Sequence, residues 1–266
     1  MKLTTFYFLT ILYFGLIPHL QAQQKLNAKL VTDGDVGIGD HTTPNNYTLS
    51  HDESTVVYLA DQDTDSFYEL YVVSVDGSTN PIKISDPQSK GNVQRNFFIH
   101  PTEEKVFYLS GNYSPPNWEP LHIYVSPLDG SNQPVRLTPQ NSSSSGISKF
   151  YLTKDGGRII YLSNQDGGLY EIYSMLTNDP NSVSKISHTL AQDELIQTTR
   201  LSDDGKMLVY RIEHKLYAVP TDGSTTAIQL NTNIGGNSII NFNIELSADG
   251  LTVYFRAKEN NNSCIF

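Results

Sequence analysis

The chain has 266 residues, with 28 Asp and Glu against 18 Lys and Arg, a formal charge of −10 and a single cysteine, Cys264. This balance argues against nucleic acid and anionic lipid as partners, because both need a basic surface, and one cysteine excludes an intrachain disulfide. The 16 tyrosines, and the Gly, Asn, Ser and Asp that separate short apolar runs, are typical of strands and turns. The composition therefore predicts an all-β fold with a packed core.

The first 22 residues have the pattern of a secretory signal peptide. Lys2 precedes the apolar run Phe6–Ile17, and Ala22 leads into the polar Gln23. The run has 12 residues, which is short of the roughly 20 that a membrane-spanning helix needs. Cleavage near Ala22 predicts a secreted protein, periplasmic or extracellular, whose mature domain covers residues 23–266 and does not insert into the membrane.

Two short segments follow the predicted cleavage site. Ala28–Thr32 resembles the last strand of the repeated unit described next. Asp33–Asp40 is acidic and rich in glycine but lacks the lysine of a phosphate-binding loop, so we expect a connection between two units there.

A sequence pattern then recurs five times, and its copies start 45 to 53 residues apart. Each copy has an apolar residue, a polar turn that usually contains Asp-Gly, and a run of β-branched and aromatic residues. This order predicts two antiparallel strands joined by a tight turn, because Asp and Gly tolerate the backbone conformation of such turns. The predicted hairpins are Leu49–Ala60, Ile99–Ser110, Leu152–Ser163, Leu201–Ile212 and Leu246–Ala257.

Two further strands complete each copy of the pattern. The predicted third strands lie in Glu69–Ser78, Leu121–Ser131, Glu171–Asp179 and Lys215–Ser224, and the predicted fourth strands are Pro81–Ser85, Pro134–Thr138, Ser184–His188 and Ala227–Asn231. Four-stranded antiparallel units repeated at this interval predict the blades of a β-propeller. The repeats lie near residues 44–85, 93–138, 146–188, 195–231 and 238–266.

The fifth copy reaches only Cys264–Phe266, where its third strand should start. Two interpretations are open. Ala28–Thr32 could complete the fifth blade and close a five-bladed ring, which would remove exposed sheet edges. Alternatively, the chain is the front part of a longer protein; we favour this second interpretation, because a natural chain seldom stops within a strand.

The hairpin motif resembles the TolB-type, WD-like propeller repeat from about Ala28 to the end of the chain. The residues that carry the resemblance are Ser202, Asp204, Gly205 and Tyr210 in the fourth copy and Ser247, Asp249, Gly250 and Phe255 in the fifth. The proline of the family motif is present only as Pro101, and Thr102 replaces its aspartate in the second copy. The resemblance implies a propeller architecture and does not specify a function.

Two sets of residues recur in register and are predicted to be structural. The aspartates of the hairpins are expected to accept backbone N–H bonds within their turns; they are Asp52, Asp155, Asp204 and Asp249. The tyrosines are expected to pack between blades; they are Tyr58, Tyr108, Tyr161 and Tyr210, with Tyr71, Tyr124, Tyr173 and Tyr217.

One loop has the spacing of a cation site. Asp61, Asp63 and Asp65 alternate with other residues, which lets a loop surround calcium with oxygen ligands. An EF-hand loop would have glycine and glutamate where this chain has Ser66 and Val72, so a solvated hairpin loop is the alternative. No other cofactor is predicted.

The sequence favours a non-catalytic, monomeric module that binds a protein, peptide or glycan, because its polar residues recur in every repeat. The alternative is the N-terminal propeller of a prolyl oligopeptidase-like serine peptidase. Since no G-x-S-x-G nucleophile motif occurs, the catalytic domain would then lie beyond Phe266. A weaker possibility is a glycosidase or lyase that uses acidic groups.

Overall fold

The computed structural model describes residues 47–64, 67–85, 92–112, 119–138, 146–232, 244–259 and 262–265. The predicted signal peptide, Ala28–Thr32 and Asp33–Asp40 lie outside these residues. All regular elements of the described residues are β-strands, and no helix among them is long and apolar enough to cross a membrane.

Five antiparallel sheets follow one another along the chain. The first contains β1 (Tyr47–Leu49), β2 (Thr55–Ala60), β3 (Glu69–Ser74) and β4 (Ile82–Lys83). The second contains β5 (Asn92–Ile99), β6 (Lys105–Asn112), β7 (Glu119–Pro127) and β8 (Val135–Arg136). The third contains β9 (Ile147–Leu152), β10 (Arg158–Ser163), β11 (Glu171–Leu176) and β12 (Asp179–Lys185). The fourth contains β13 (Ile196–Leu201), β14 (Met207–Ile212), β15 (Lys215–Pro220) and β16 (Ile228–Gln229), and the fifth β17 (Ile244–Leu246), β18 (Val253–Glu259) and β19 (Asn262–Ile265).

Neighbours in each sheet are also neighbours in the chain, which confirms the prediction of repeated antiparallel units with a β-propeller-like fold. Several strand boundaries differ from those predicted, and the third and fifth sheets give two examples. The third strand of the fifth sheet starts at Asn262, because Asn262 already pairs with Glu259 of β18. Asp179 begins β12 instead of ending the third strand, because β11 stops at Leu176.

The chain divides into two compact units. The described residues up to Ile99 form the first unit together with Glu104–Ser110 and Val125–Val135, and the remaining described residues form the second. The first sheet therefore lies in the first unit, and the third, fourth and fifth sheets lie in the second.

The second strand of each of the first four sheets is buried along most of its length, whereas Tyr254 and Arg256 of β18 are exposed. In β2, β10 and β14 every residue after the first is buried, and all of these buried residues are apolar except Ser163 and Arg211. In the second unit, the third and fourth sheets share one core. A second core joins the fourth and fifth sheets, and includes Val209, Leu216, Ala218, Ile244 and Phe255.

Buried tyrosines stack in pairs across the second and third strands. Ring centroids are 5.2 to 5.6 Å apart in the pairs Tyr58–Tyr71, Tyr161–Tyr173 and Tyr210–Tyr217. The prediction of packing between blades is confirmed for the last pair, which lies in the core shared by the third and fourth sheets. The first pair lies in a cluster of buried residues that also includes Val56, Ala60 and Val73 of the first sheet. All six tyrosines are buried.

A hydroxyl and a carboxylate fix the first turn of the sheets. In the third sheet the Thr153 hydroxyl donates to Asp155 Oδ1 at 2.6 Å, the Gly157 N–H donates to the same oxygen at 2.9 Å, and the Arg158 N–H donates to Thr153 Oγ1 at 2.9 Å. The same three bonds recur in the pairs Ser50–Asp52, Ser202–Asp204 and Ser247–Asp249. The predicted turn role of the aspartates is confirmed.

The turn of the second sheet uses an imidazole instead. His100 occupies the position of the serine, and its Nδ1 accepts hydrogen bonds from the N–H groups of Thr102 and Glu103, at 3.3 and 3.0 Å. The ring is 6% exposed and lies against Gly156 of the third sheet. One side chain thus supplies the acceptor that a serine and an aspartate supply elsewhere.

Glu53 takes the backbone conformation that glycine takes in the equivalent turns. Its φ is 59°, against 72° at Gly156 and 74° at Gly205. Since a Cβ is strained in this region, we expect Glu53→Gly to raise the free energy of unfolding by about 0.5 kcal/mol, the strain relief being partly offset by the flexibility of glycine in the unfolded chain. Urea denaturation measures the change. Glu104→Gly, in the second sheet's turn, serves as control and should destabilise; an equal loss in both variants would contradict the prediction.

Acid should weaken the first turn. The Ser50 hydroxyl, with the backbone N–H and hydroxyl of Ser54, lowers the pKa of Asp52 from 3.8 to about 2. The carboxylate therefore stabilises the fold above pH 4, and this contribution is lost as the pH falls towards 2. We expect Asp52→Asn to show a smaller loss of stability than the parent protein over this range in urea titrations. Identical acid dependence in both proteins would show that the turn does not depend on the charge.

Candidate functional site

A cleft of about 500 Å³ opens between the third and fourth sheets of the second unit, at the ends that carry the first turns. Half-buried apolar side chains line part of it, namely Leu176, Met207 and Pro220. Charged side chains line the rest, namely Asp155, Arg158, Asp204, Lys206 and Asp222. The cleft thus combines an apolar surface with polar groups, as small binding sites do.

The apolar residues of the cleft lie at the ends of strands. Leu176 ends β11, Met207 begins β14, and Pro220 ends β15. Met207 and Pro220 are paired across β14 and β15, so their side chains lie on the same face of the fourth sheet. These positions sit directly beside the polar turns, which is why apolar and charged groups meet in one cleft.

The carboxylates of the cleft are held ionised. The Thr153 hydroxyl lowers the pKa of Asp155, the Ser202 hydroxyl lowers that of Asp204, and the Ser224 N–H lowers the pKa of Asp222. A carboxyl group with a low pKa is a weak base and is not a proton donor near neutral pH. These groups are therefore suited to fixed electrostatic contacts and poorly suited to proton transfer.

The two cations of the cleft differ in their contacts and exposure. Arg158 Nη1 donates to Ser174 Oγ at 3.2 Å, and its charge contributes to the lowered pKa of both Asp155 and Asp222. The Lys206 side chain is 82% exposed, and its Nζ lies 3.8 Å from Asp204 Oδ2. Arg158 is thus fixed near two carboxylates, whereas Lys206 extends into solvent.

A second polar cluster lies between the same two sheets, at the opposite ends of the strands. His188 Nδ1 is 2.9 Å from the Tyr210 hydroxyl, and the His188 ring stacks on Tyr217 with centroids 4.3 Å apart. His188 Nε2 lies 3.6 Å from Glu194 Oε2. Glu194 Oε1 in turn accepts a hydrogen bond from Lys215 Nζ at 3.0 Å.

The hydrogen bonds of Tyr210 define the role of this cluster. The Tyr210 hydroxyl accepts a bond from the His188 backbone N–H at 3.2 Å, and the same hydroxyl is within hydrogen-bond distance of His188 Nδ1. Burial raises the pKa of Tyr210 to about 12, which keeps the hydroxyl protonated. Tyr210 is 0% exposed, so its hydroxyl is placed to join the third and fourth sheets.

The first sheet has an ion-pair cluster at the corresponding strand ends. Lys83 Nζ lies 2.8 Å from Asp63 Oδ2 and 2.9 Å from Glu69 Oε1. Asp63 belongs to the predicted calcium site, together with the half-buried Asp61; Asp65 lies outside the described residues. Within the described part of the chain, no group of three or more acidic, histidine or cysteine side chains could hold a metal ion. Calcium binding stays a prediction.

Comparison with known proteins bears on the fold. No protein-family model matches the chain, and no curated protein matches its sequence. TolB from Agrobacterium tumefaciens is 16% identical, with a TM-score of 0.48 over 82% of this chain and 71% of that one. A prolyl endopeptidase from a study of inter-domain dynamics in two such enzymes is 10% identical, with a TM-score of 0.52 over 88% of this chain and 36% of that one.

Prolyl oligopeptidase B from Galerina marginata is also 10% identical, with a TM-score of 0.52 over 81% of this chain and 30% of that one. The chain thus spans about a third of the length of either prolyl peptidase. At these identities the likeness shows the fold alone, and it agrees with the β-propeller-like succession of sheets.

Proposed function

We propose that the chain is a non-catalytic propeller module that works outside the cytoplasm and binds a protein, peptide or glycan as a monomer. The cleft between the third and fourth sheets is the observation that carries the proposal. It offers apolar contact surface beside carboxylates that stay ionised near neutral pH, which suits recognition of a polar ligand. The secretory pattern of the first 22 residues supports export.

The repeated polar residues also favour binding over catalysis. The hairpin aspartates bind the hydroxyl and backbone groups of their own turns, as Asp155 and Asp204 do. The Thr221 hydroxyl of the cleft donates to the Gly205 carbonyl at 2.8 Å. Groups engaged in this way hold the backbone in place, and a nucleophile needs instead an adjacent base that accepts its proton.

The test uses arrays of random-sequence peptides and of oligosaccharides, probed with the purified labelled chain. We expect specific binding to a subset of these probes. Leu176→Ser, in the cleft, should reduce that binding, whereas Ile228→Ser, on the exposed part of β16, should leave it unchanged; melting curves verify that both variants fold. Absence of binding to every probe, or turnover of peptide or glycoside substrates by the chain, would overturn the proposal.

A second candidate function is that of the propeller part of a prolyl oligopeptidase-like serine peptidase. The structural likeness to two prolyl peptidases over 81% and 88% of this chain favours it. In this case the catalytic domain follows Phe266 in a longer protein. The coding sequence decides the matter: an in-frame G-x-S-x-G segment downstream supports this candidate, and a stop codon directly after Phe266 eliminates it.

A further inference from the structure

We propose that the cleft between the third and fourth sheets recognises a peptide segment in which a lysine or arginine side chain lies next to an aliphatic one. This inference rests on the proposed binding function and names the class of ligand. Its basis is the arrangement of charge, hydrogen bonds and apolar surface around the cleft.

Charge is the first argument. The cleft itself has three carboxylates against two cations. In the turns of the third, fourth and fifth sheets and at the strand residues beside them the negative excess is larger, with six carboxylates against three cations; these are Asp155, Asp179, Asp203, Asp204, Asp222 and Asp249 against Lys154, Arg158 and Lys206. Such a field attracts cationic partners and repels anionic ones. This excess of negative charge favours a cationic peptide over an acidic peptide or a nucleic acid as the ligand of the cleft.

The carboxylates are also fixed in place. Asp204 Oδ1 accepts bonds from the Ser202 hydroxyl at 2.7 Å and from the Lys206 N–H at 3.0 Å, and Asp222 Oδ1 accepts one from the Ser224 N–H at 2.9 Å. Because these side chains are ordered before a ligand arrives, binding a cation costs little further conformational entropy. Charge-assisted hydrogen bonds to such carboxylates are among the stronger polar contacts in proteins.

The resident cations leave room for an incoming one. Arg158 is bonded to Ser174 and lies near Asp155 and Asp222, so it balances part of the negative charge without filling the cleft. Lys206 is 82% exposed, and its Nζ is 3.8 Å from Asp204. A contact of that length at the surface contributes little, and a ligand cation can displace it at small cost.

The apolar surface selects the rest of the ligand. Leu176, Met207 and Pro220 are half-buried in the free protein. The methylene groups of a lysine or arginine can cover such a surface while the charged end reaches a carboxylate, and the unbranched Met207 can adjust to a neighbouring aliphatic residue. No aromatic residue is found among the described residues that line the cleft, which favours a peptide over a sugar that stacks on rings.

Fluorescence anisotropy with three labelled peptides of equal length tests the inference. One alternates lysine with leucine, and in the others glutamine or glutamate replaces every lysine. We expect the lysine peptide to bind the full chain about tenfold more tightly than the glutamine peptide, the glutamate peptide not to bind, and added salt to weaken the lysine peptide most.

Matched variants locate the site. Asp222→Asn keeps an acceptor for the turn and removes the charge, and we expect it to weaken binding of the lysine peptide about fivefold. Asp76→Asn is its control, because Asp76 accepts a hydrogen bond from the Ser78 N–H at 2.8 Å in the corresponding turn of the first sheet. This substitution should leave binding of the lysine peptide unchanged. Equal effects of the two variants would overturn the assignment to the cleft.

The remaining outcomes separate this inference from the proposed function. If the glutamine or glutamate peptide binds as tightly as the lysine peptide, the preference for cations is wrong and the binding function stands. If none of the three binds while other array probes do, the ligand class is wrong. If no probe binds at all, the proposed function fails as well.

Discussion

Replacing Gly156 by alanine is expected to lower the free energy of unfolding by about 3 kcal/mol, because two costs add at this position. The backbone there has φ +72°, which disfavours any side chain. In addition, a Cβ at Gly156 would meet the His100 ring, 2.6 Å from Cε1 and 2.7 Å from Cδ2. His100 is buried and holds its own turn, so it cannot move away freely.

Gly77→Ala separates the two costs. Gly77 has φ +70° with no atom within 4 Å of a Cβ, so this variant carries only the backbone strain and should lose about 1 kcal/mol. Chemical denaturation of both variants, and of Gly156→Ala combined with His100→Ser, completes the measurement. The smaller serine should recover part of the loss at Gly156. Equal losses at Gly77 and Gly156 would show that the contact with His100 costs nothing.

Replacing Tyr210 by alanine is expected to cost about 4 kcal/mol, as truncation of a fully buried aromatic residue usually does. Tyr210 lies in the core shared by the third and fourth sheets, its ring stacks on Tyr217 at 5.2 Å, and its hydroxyl is 2.9 Å from His188 Nδ1. The change leaves a cavity between two sheets and removes the hydroxyl from His188. Urea denaturation monitored by circular dichroism gives the value.

Tyr210→Phe keeps the stacked ring and removes only the hydroxyl, so we expect a loss of about 1 kcal/mol. Tyr254→Ala is the control on the surface, because Tyr254 is 49% exposed and should lose less than about 0.5 kcal/mol. If the phenylalanine variant is as unstable as the alanine variant, the hydrogen bond to His188 dominates and the core packing argument is wrong.

Most of the correct predictions from the sequence come from the repeats. Ser202, Asp204 and Gly205 stand in a fixed order because each supplies one part of a single turn, so their recurrence identifies the hairpins without knowledge of tertiary contacts. The stacking of the tyrosines in pairs is harder to predict from the repeats. Tyr161 and Tyr173 recur in separate strands, and only the observed strand register makes them neighbours.

The cleft and the His188 cluster could not be predicted from the repeats. Each of them brings together residues of two different sheets, and the repeat pattern does not show how those sheets pack against each other. One signal was present in the sequence. Lys215 stands at the strand position where the first and third copies have Glu69 and Glu171. The charge is reversed because the ion-pair partner comes from another part of the repeat. Lys215 pairs with Glu194, which precedes β13. Glu69 and Glu171 pair instead with Lys83 and Lys185 on the fourth strands. A residue that breaks the repeat pattern was therefore a better indication of the cluster than any motif.

The close approach of successive turns has a consequence for how this chain could have arisen by duplication. Gly156 lies against His100, Gly205 against Thr153, and a Cβ on Gly250 would come within 3.0 Å of Ser202. The turn glycine of one copy thus lies against the residue that begins the first turn of the preceding copy. A first hairpin, with Glu53, moved into the place of the third would set a long acidic side chain against an imidazole. The first and third copies are therefore not interchangeable, because the space beside His100 admits a glycine but not a longer side chain.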